Sequence, residues 1–140
     1  MSFEAERKAI EGLFATAWGG NPVPAIYENS KQKIPTAGDF IYFRIIGSDG
    51  NQAEIAGDGP TLMRYNGLIQ CDIMLKAESG HATGRKLADE IAAVFRRKQL
   101  TDEAGGQITF KIPTIRTFGA SSDGRHRIVL SVVYQRDIRQ

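Results

Sequence analysis

Leu62-Met63-Arg64-Tyr65-Asn66-Gly67-Leu68-Ile69-Gln70-Cys71-Asp72-Ile73-Met74-Leu75 is the stretch whose reading decides the fold. On one parity stand Tyr65, Ile69, Cys71, Ile73 and Leu75, apolar apart from Gly67. The other parity carries Arg64, Asn66, Gln70 and Asp72 and is mostly polar. A period of two over this length predicts a long, half-buried strand. A short loop at 76–80 follows, and then the period changes. Over 83–97, Leu87, Ile91, Val94 and Phe95 fall on one helical stripe, which predicts an amphipathic helix. Nothing in this strand and helix resembles a catalytic device, so the expected work is assembly.

Toward the N-terminus, Ile10, Leu13, Phe14 and Ala17 recur at helical spacing, which predicts a helix over 3–18. Ser2 is its expected N-cap, Glu4 and Glu6 complement its positive end, and Gly19-Gly20-Asn21-Pro22 stops it. A short strand is expected at 24–28, at an edge because Pro22 and Pro24 flank it. Residues 29–38, with Lys31, Lys33 and Pro35, read as a loop. Asp39-Phe40-Ile41-Tyr42-Phe43-Arg44-Ile45-Ile46 is β-branched and aromatic and predicts a strand, ended by the turn-like cluster Gly47-Ser48-Asp49-Gly50-Asn51. Weak pairing is expected at 52–56 and a turn at 57–60. These pieces predict an antiparallel meander.

Toward the C-terminus, residues 107–112 alternate with Ile108, Phe110 and Ile112 on one side, and Pro113 ends the run or marks an edge. Residues 119–125 read as a glycine-rich loop. A last strand at 126–137 carries Ile128, Leu130, Val132 and Tyr134 on one face and Val129 and Val133 on the other, so it is expected to be central. The predicted order is α-β-β-β-α-β-β. The predicted fold class is α+β, a mainly antiparallel sheet with two α-helices packed on one face.

With 140 residues the chain is expected to form a single domain over 1–140. Its 41% apolar and 24% charged content is that of an ordinary globular protein. No apolar run reaches the ~18 residues of a membrane span. The charged start Phe3-Glu4-Ala5-Glu6-Arg7-Lys8 does not read as a secretion signal. The lone Cys71 excludes an internal disulfide and a thiolate metal cage, and fits a cytosolic origin. Net charge is +2, but residues 1–70 hold six Lys/Arg against eight Asp/Glu, and residues 71–140 hold twelve against eight. Such a gradient can orient head-to-tail contacts or face nucleic acid.

Candidate chemical sites fail on spacing. Gly80-His81-Ala82-Thr83-Gly84-Arg85-Lys86 invites a phosphate-loop reading, but its glycines are four apart and no Ser or Thr follows Lys86. Generic anion binding at that helix start stays open. His81 and His126 have no local carboxylate or cysteine with which to hold zinc. Cys71 lies on the apolar parity, where a small buried hydrophobe is expected rather than a nucleophile. Asp49, Asn51 and Asp58 flank glycines as turn residues and lack the register of a calcium loop. No cofactor is implied. Arg96-Arg97-Lys98 closes a helix, where positive charge suits the dipole. Arg116, Arg125 and Arg127 border the 119–124 loop, where they could line a pore or touch phosphates, but no aromatic residues interleave with them to stack bases.

The whole order, and particular stretches within it, resemble the phage tail terminator family, similar to the minor tail proteins of lambda-like phages and prophages. The stretches are the strand at Asp39–Ile46; Arg64-Tyr65-Asn66-Gly67-Leu68-Ile69-Gln70-Cys71-Asp72-Ile73; Gly80, Gly84, Leu87-Ala88-Asp89-Glu90-Ile91 and Phe95; Ile112-Pro113; and Val133-Tyr134-Gln135-Arg136-Asp137. The resemblance implies a structural role without enzymatic activity. The implied partners are further copies of the chain in a hexameric ring, the tail tube protein, and a head-completion or connector protein. DNA would pass through the lumen, and no membrane is involved. It also implies assembly in the bacterial host cytoplasm and a final place in the virion tail. A ring needs heterologous contacts whose rotation closes. The two loops are the candidate contact regions: Lys31 and Lys33 in the first, and Arg116, Arg125, His126 and Arg127 around the second. Another neck protein, or a small nucleic-acid-binding protein using the basic C-terminal half, are the alternatives.

Overall fold

The computed structural model describes residues 3–28, 30–35, 38–52, 61–76, 81–120 and 124–139. In chain order these form α1 (Phe3–Trp18), β1 (Ala25–Tyr27), β2 (Phe40–Gln52), β3 (Leu62–Leu75), α2 (His81–Phe95), β4 (Gln99–Thr101), β5 (Gln107–Phe110), β6 (Thr114–Ala120) and β7 (His126–Arg139). The strands make one sheet in the order β1-β2-β3-β7-β5-β4, with β6 also paired to β7. All pairings are antiparallel except β1 with β2, which is parallel. The fold is α+β with both helices on one face of the sheet.

The parity read from the sequence becomes rows of side chains across three strands. Ile41, Ile73 and Ile128 stand side by side; so do Phe43, Cys71 and Leu130, and then Ile45, Ile69 and Val132. Ile10 and Phe14 of α1 and Leu87, Ile91 and Phe95 of α2 cover these rows and complete one core cluster. Each such side chain contributes roughly 1.5–3 kcal/mol by leaving water. Phe14 is the junction: its ring lies 5.4 Å from Trp18, 4.6 Å from Phe43 and 6.1 Å from Phe95. Phe110 and Tyr134 extend the aromatic seam from Phe95. The exit from α1 is fixed by the Trp18 indole N–H, which donates to the Val23 carbonyl at 2.8 Å.

Gly67 and Gly84 sit where a side chain has no room. Gly67, the gap in the apolar parity of β3, lies directly opposite Tyr134 on β7, and a Cβ there would fall 2.3 Å from the Tyr134 ring. The tyrosine therefore fills the space that glycine leaves. Gly84 is buried in α2, and a Cβ on it would meet Ile128 Cδ1 at 2.4 Å. It lets the helix approach the sheet, which accounts for Gly84 without a phosphate.

Four expectations need correction. The cluster at 47–51 is not a turn: β2 runs on to Gln52, paired with β3, and absorbs Gly47 as an irregularity between Ile46 and Ser48. The first strands are not a purely antiparallel meander, because β1 runs parallel to β2. The order gains two strands, β4 and β6, and becomes α-β-β-β-α-β-β-β-β. Ile112 does not join Ile108 and Phe110 in the core. Pairing slips by one residue between Phe110↔Tyr134 and Thr114↔Ser131, so β5 and β6 lie along the same side of β7 as one interrupted strand, and Ile112 in the break is 85% exposed. The expectations for Ser2 as a cap, for pairing at 53–56, for the turn at 57–60 and for Gly80 lie outside the described residues.

Candidate interaction site

With both helices on one face, the other face of the sheet is open, and the even-numbered residues of β3 point onto it. Its centre is Asp72. Arg127 Nη2 donates to Asp72 Oδ2 at 2.9 Å, Arg44 Nη2 donates to the same oxygen at 3.2 Å, and the Gln70 amide donates to Oδ1 at 2.9 Å. Each arginine also lies against an aromatic ring, Arg44 over Tyr42 at 5.4 Å and Arg127 over Phe118 at 5.1 Å. Farther along, Arg64 holds Asp137 with two hydrogen bonds, at 2.9 and 3.2 Å. The Asp137 carboxyl is held below its ordinary value, first by the Arg64 hydrogen bond and against the opposing effect of burial. This face is an ordered lattice of paired charge.

The inner face has its own ion pair. Arg136 and Asp102 are both fully buried, with Arg136 Nε donating to Asp102 Oδ2 at 2.6 Å. The other Asp102 oxygen accepts from the amides of Ala104 (3.0 Å) and Gly106 (2.9 Å), so the carboxylate also shapes the turn between β4 and β5. Burial pushes the Asp102 carboxyl up, but the Arg136 hydrogen bond, the Gly106 amide and the arginine charge outweigh it and hold the group below its ordinary value.

Two grooves lie toward opposite ends of the strand order. One, of about 800 Å³, runs between α1 and the β1–β2 edge; Glu6, Glu11, Glu28, Phe3, Tyr27 and Ile45 line it, with Arg7. The other, of about 810 Å³, surrounds the break between β5 and β6; Arg96, Arg97 and Lys111 ring Phe110, Ile112 and Val133. The outer edge of β1 is closed by a side chain: the Gln32 amide accepts from the Tyr27 N–H at 3.0 Å and donates to the Ala25 carbonyl at 2.9 Å, as a neighbouring strand would.

The six residues singled out from the sequence separate into three groups. Arg125 is only 8% exposed: its guanidinium donates to the carbonyls of Gly38 and of Pro35 (2.9 Å for the latter) and lies 4.8 Å over the Phe40 ring. It thus ties the start of β7 to the 30–39 segment that carries Lys31 and Lys33, both exposed. Arg127 belongs to the Asp72 lattice. Arg116 is exposed on β6, opposite Val129, and His126 begins β7 beside Leu75. The tip of the second loop, 121–123, lies outside the described residues. Sequence reasoning missed Asp72 as a hub and Ile112 as an exposed apolar residue. For Asp72 the available signal was a carboxylate on the open parity of a strand; for Ile112 it was the proline that follows.

Cys71 is fully buried, and burial, with Asp72 adding to it, pushes its thiol well above the ordinary value, the opposite of what a nucleophile needs. Among the described residues no group of three or more His, Cys, Asp or Glu is placed to hold a metal, and no helix is long and apolar enough to cross a membrane.

The family model described as "Phage tail terminator protein" matches residues 5–134. No curated protein matches the sequence significantly. Among solved structures, one that carries no functional name is similar over 99% of this chain and 97% of its own, with a TM-score of 0.74 and 21% identity. A chain of the virion of a native gene transfer agent particle is similar over 98% of this chain and 100% of its own, with a TM-score of 0.59 and 14% identity. At these identities the two structures show a shared fold.

Proposed function

The chain belongs to the phage tail terminator family, a family of structural phage tail proteins, and on that premise we propose that it caps the tail tube as a ring. The ring ends tube growth and offers the surface that joins the head. The observation that carries this reading is the match of the family model over residues 5–134, nearly the whole chain. The fold supplies what a ring requires: two different edges of one sheet, which permit heterologous contacts. The hexamer, the tail tube protein and the connector as partners, passage of DNA through the lumen, and assembly in the host cytoplasm belong to the same proposal.

Two of the three arginines beside the second loop give the nucleic-acid alternative no support, and Arg116 alone among them stands exposed. Arg127 is neutralised by Asp72, and Arg125 is occupied by backbone carbonyls. A dedicated binder would present such groups to phosphates. The test is negative-stain imaging of the purified protein, alone and with tail tubes of the matching phage. Rings, or tubes capped at one end that no longer elongate, are expected. A protein that stays monomeric and ignores tube ends overturns the reading.

A further inference from the structure

We infer that copies of this chain join head to tail through the two grooves, with Ile112 and its basic surround on one copy seated in the acidic groove beside α1 on the next. The inference rests on the ring reading above and names the surfaces that meet.

Position comes first. The acidic groove lies at the β1–β2 end of the strand order and the basic one toward the β5–β6 end, so one copy presents them on different edges of its sheet. Charge comes second. The basic groove has three cations and no carboxylate in its lining. The acidic groove presents Glu28 at its surface, with Glu11 held by Arg7, Glu6 buried beneath at 4% exposure, and Arg7 also engaged by Glu4, so three carboxylates stand against one cation in its lining. Two-fold pairing of like grooves would set cation against cation, whereas pairing unlike grooves sets cation against carboxylate. Only the second arrangement is heterologous, the kind that propagates into a ring.

Shape comes third. Ile112 is the most exposed large hydrophobic residue among those described, at 85%, and it projects from the edge because the β5–β6 register breaks there. The acidic groove offers an apolar lining in Tyr27, Ile45 and Phe3, the last 56% exposed. An apolar residue ringed by charge, facing an apolar lining ringed by the opposite charge, is the anatomy of an interface centre and rim. Arg97 adds a further mark. Its φ of 58° places it in the left-handed region, where glycine would sit without strain, yet an arginine occupies the position. Finally, Gln32 closes the β1 edge, so the contact is made by side chains rather than by strand addition.

The test is disulfide trapping in the double variant Glu28→Cys/Ile112→Cys. Both positions are exposed, and the native Cys71 is fully buried and silent. Under mild oxidation with tail tubes, the double variant is expected to give a covalent ladder that stops at the closed ring, while each single variant gives none. Lys111→Glu and Glu28→Lys should each weaken oligomer formation about tenfold or more, and the two together should regain most of it. Wild-type rings without a ladder, and without charge-swap rescue, would overturn this pairing and leave the ring reading standing. Dimers from Ile112→Cys alone would overturn it in favour of two-fold pairing. Binding of DNA fragments, rather than self-association, that responds to Lys111→Glu would assign the basic groove to nucleic acid and overturn it. Absence of any oligomer in the wild type, with or without tubes, would overturn both readings.

Discussion

Each face of the sheet carries an aspartate gripped by arginine, and the two sit in opposite surroundings. On the helix-covered face, Asp102 and Arg136 are wholly out of water, and the arginine's terminal nitrogens have no hydrogen-bond partner among the described residues. On the open face, Asp72 accepts from Arg44 and Arg127, whose side chains keep 28% and 34% of their exposure. The same chemistry therefore does different work. The inner pair cannot let go without stranding a charge in low dielectric, so it fixes how the β4–β5 turn meets β7. In the outer lattice Asp72 is itself buried, but its arginine partners reach water and can exchange it for solvent, so the lattice sets the character of a surface.

The sharpest way to break this contrast is to remove one partner inside. Asp102→Ala leaves Arg136 buried and unpaired and deprives the turn amides of Ala104 and Gly106 of their acceptor. A loss of about 3–5 kcal/mol is expected, read as a lower urea midpoint. Asp102→Ala combined with Arg136→Met should recover a good part of that loss, because no charge is then left behind. A loss under about 1 kcal/mol in the single variant would mean the inner pair is no more critical than the outer one.

A second variant asks whether packing on the inner face is as exacting as its electrostatics. Gly67→Ala drives a methyl into the Tyr134 ring, which lies at the end of the aromatic seam. Destabilisation of about 1–3 kcal/mol is expected. Recovery in Gly67→Ala/Tyr134→Leu would identify the ring as the obstacle.

Acid separates the faces in a different way. Asp102 and Asp137 are both held below their ordinary values in the folded chain, Asp102 by its arginine and amide partners against burial and Asp137 by Arg64. A lowered carboxyl contributes stability that is complete above its unfolded value of about 3.9 and is lost as pH falls through the folded value beneath it. Stability should therefore be level from neutral pH down to about pH 4 as far as these groups are concerned, and then fall. Asp102→Asn should flatten part of that fall. Adding salt at low pH should alter the half-buried Asp137 share more than the fully buried Asp102 share.

What could be read from the sequence was whatever depends on local period. The helix at 3–18 and the strand at 62–75 have the bounds their patterns predicted. What escaped was imposed from elsewhere in the molecule. Gly47-Ser48-Asp49-Gly50-Asn51 has the composition of a turn, but pairing with residues 64–67 of β3 holds it extended, a tertiary contact overriding local preference. Thr114–Ala120 was hidden between Pro113 and the glycine-rich loop and becomes a strand because β7 is long enough to pair with both β5 and β6. Ile112 looked inward by alternation, and one slipped residue turned it out. The charge gradient between the chain halves was visible at once. Its separation onto different edges was not, since it depends on strand order, which no local pattern encodes.

The smallest expected effect on stability is also the one that best tests what the open face is for. Asp72→Ala takes away the acceptor shared by Arg44, Arg127 and Gln70, yet both arginines can turn to water, so the cost should be about 1 kcal/mol or less and should shrink with added salt. Its consequence for the surface is larger. With Asp72 gone, Arg44 and Arg127 join the exposed Arg116 as unneutralised cations on one sheet face. If Asp72 keeps this face from acting as a nucleic-acid surface, the variant should gain salt-dependent binding to duplex DNA that the wild type lacks, read as retention on a DNA column at low salt. Equal retention of the two proteins would show that the lattice does not govern that choice, and the electrostatic difference between the two faces would reduce to one of stability alone.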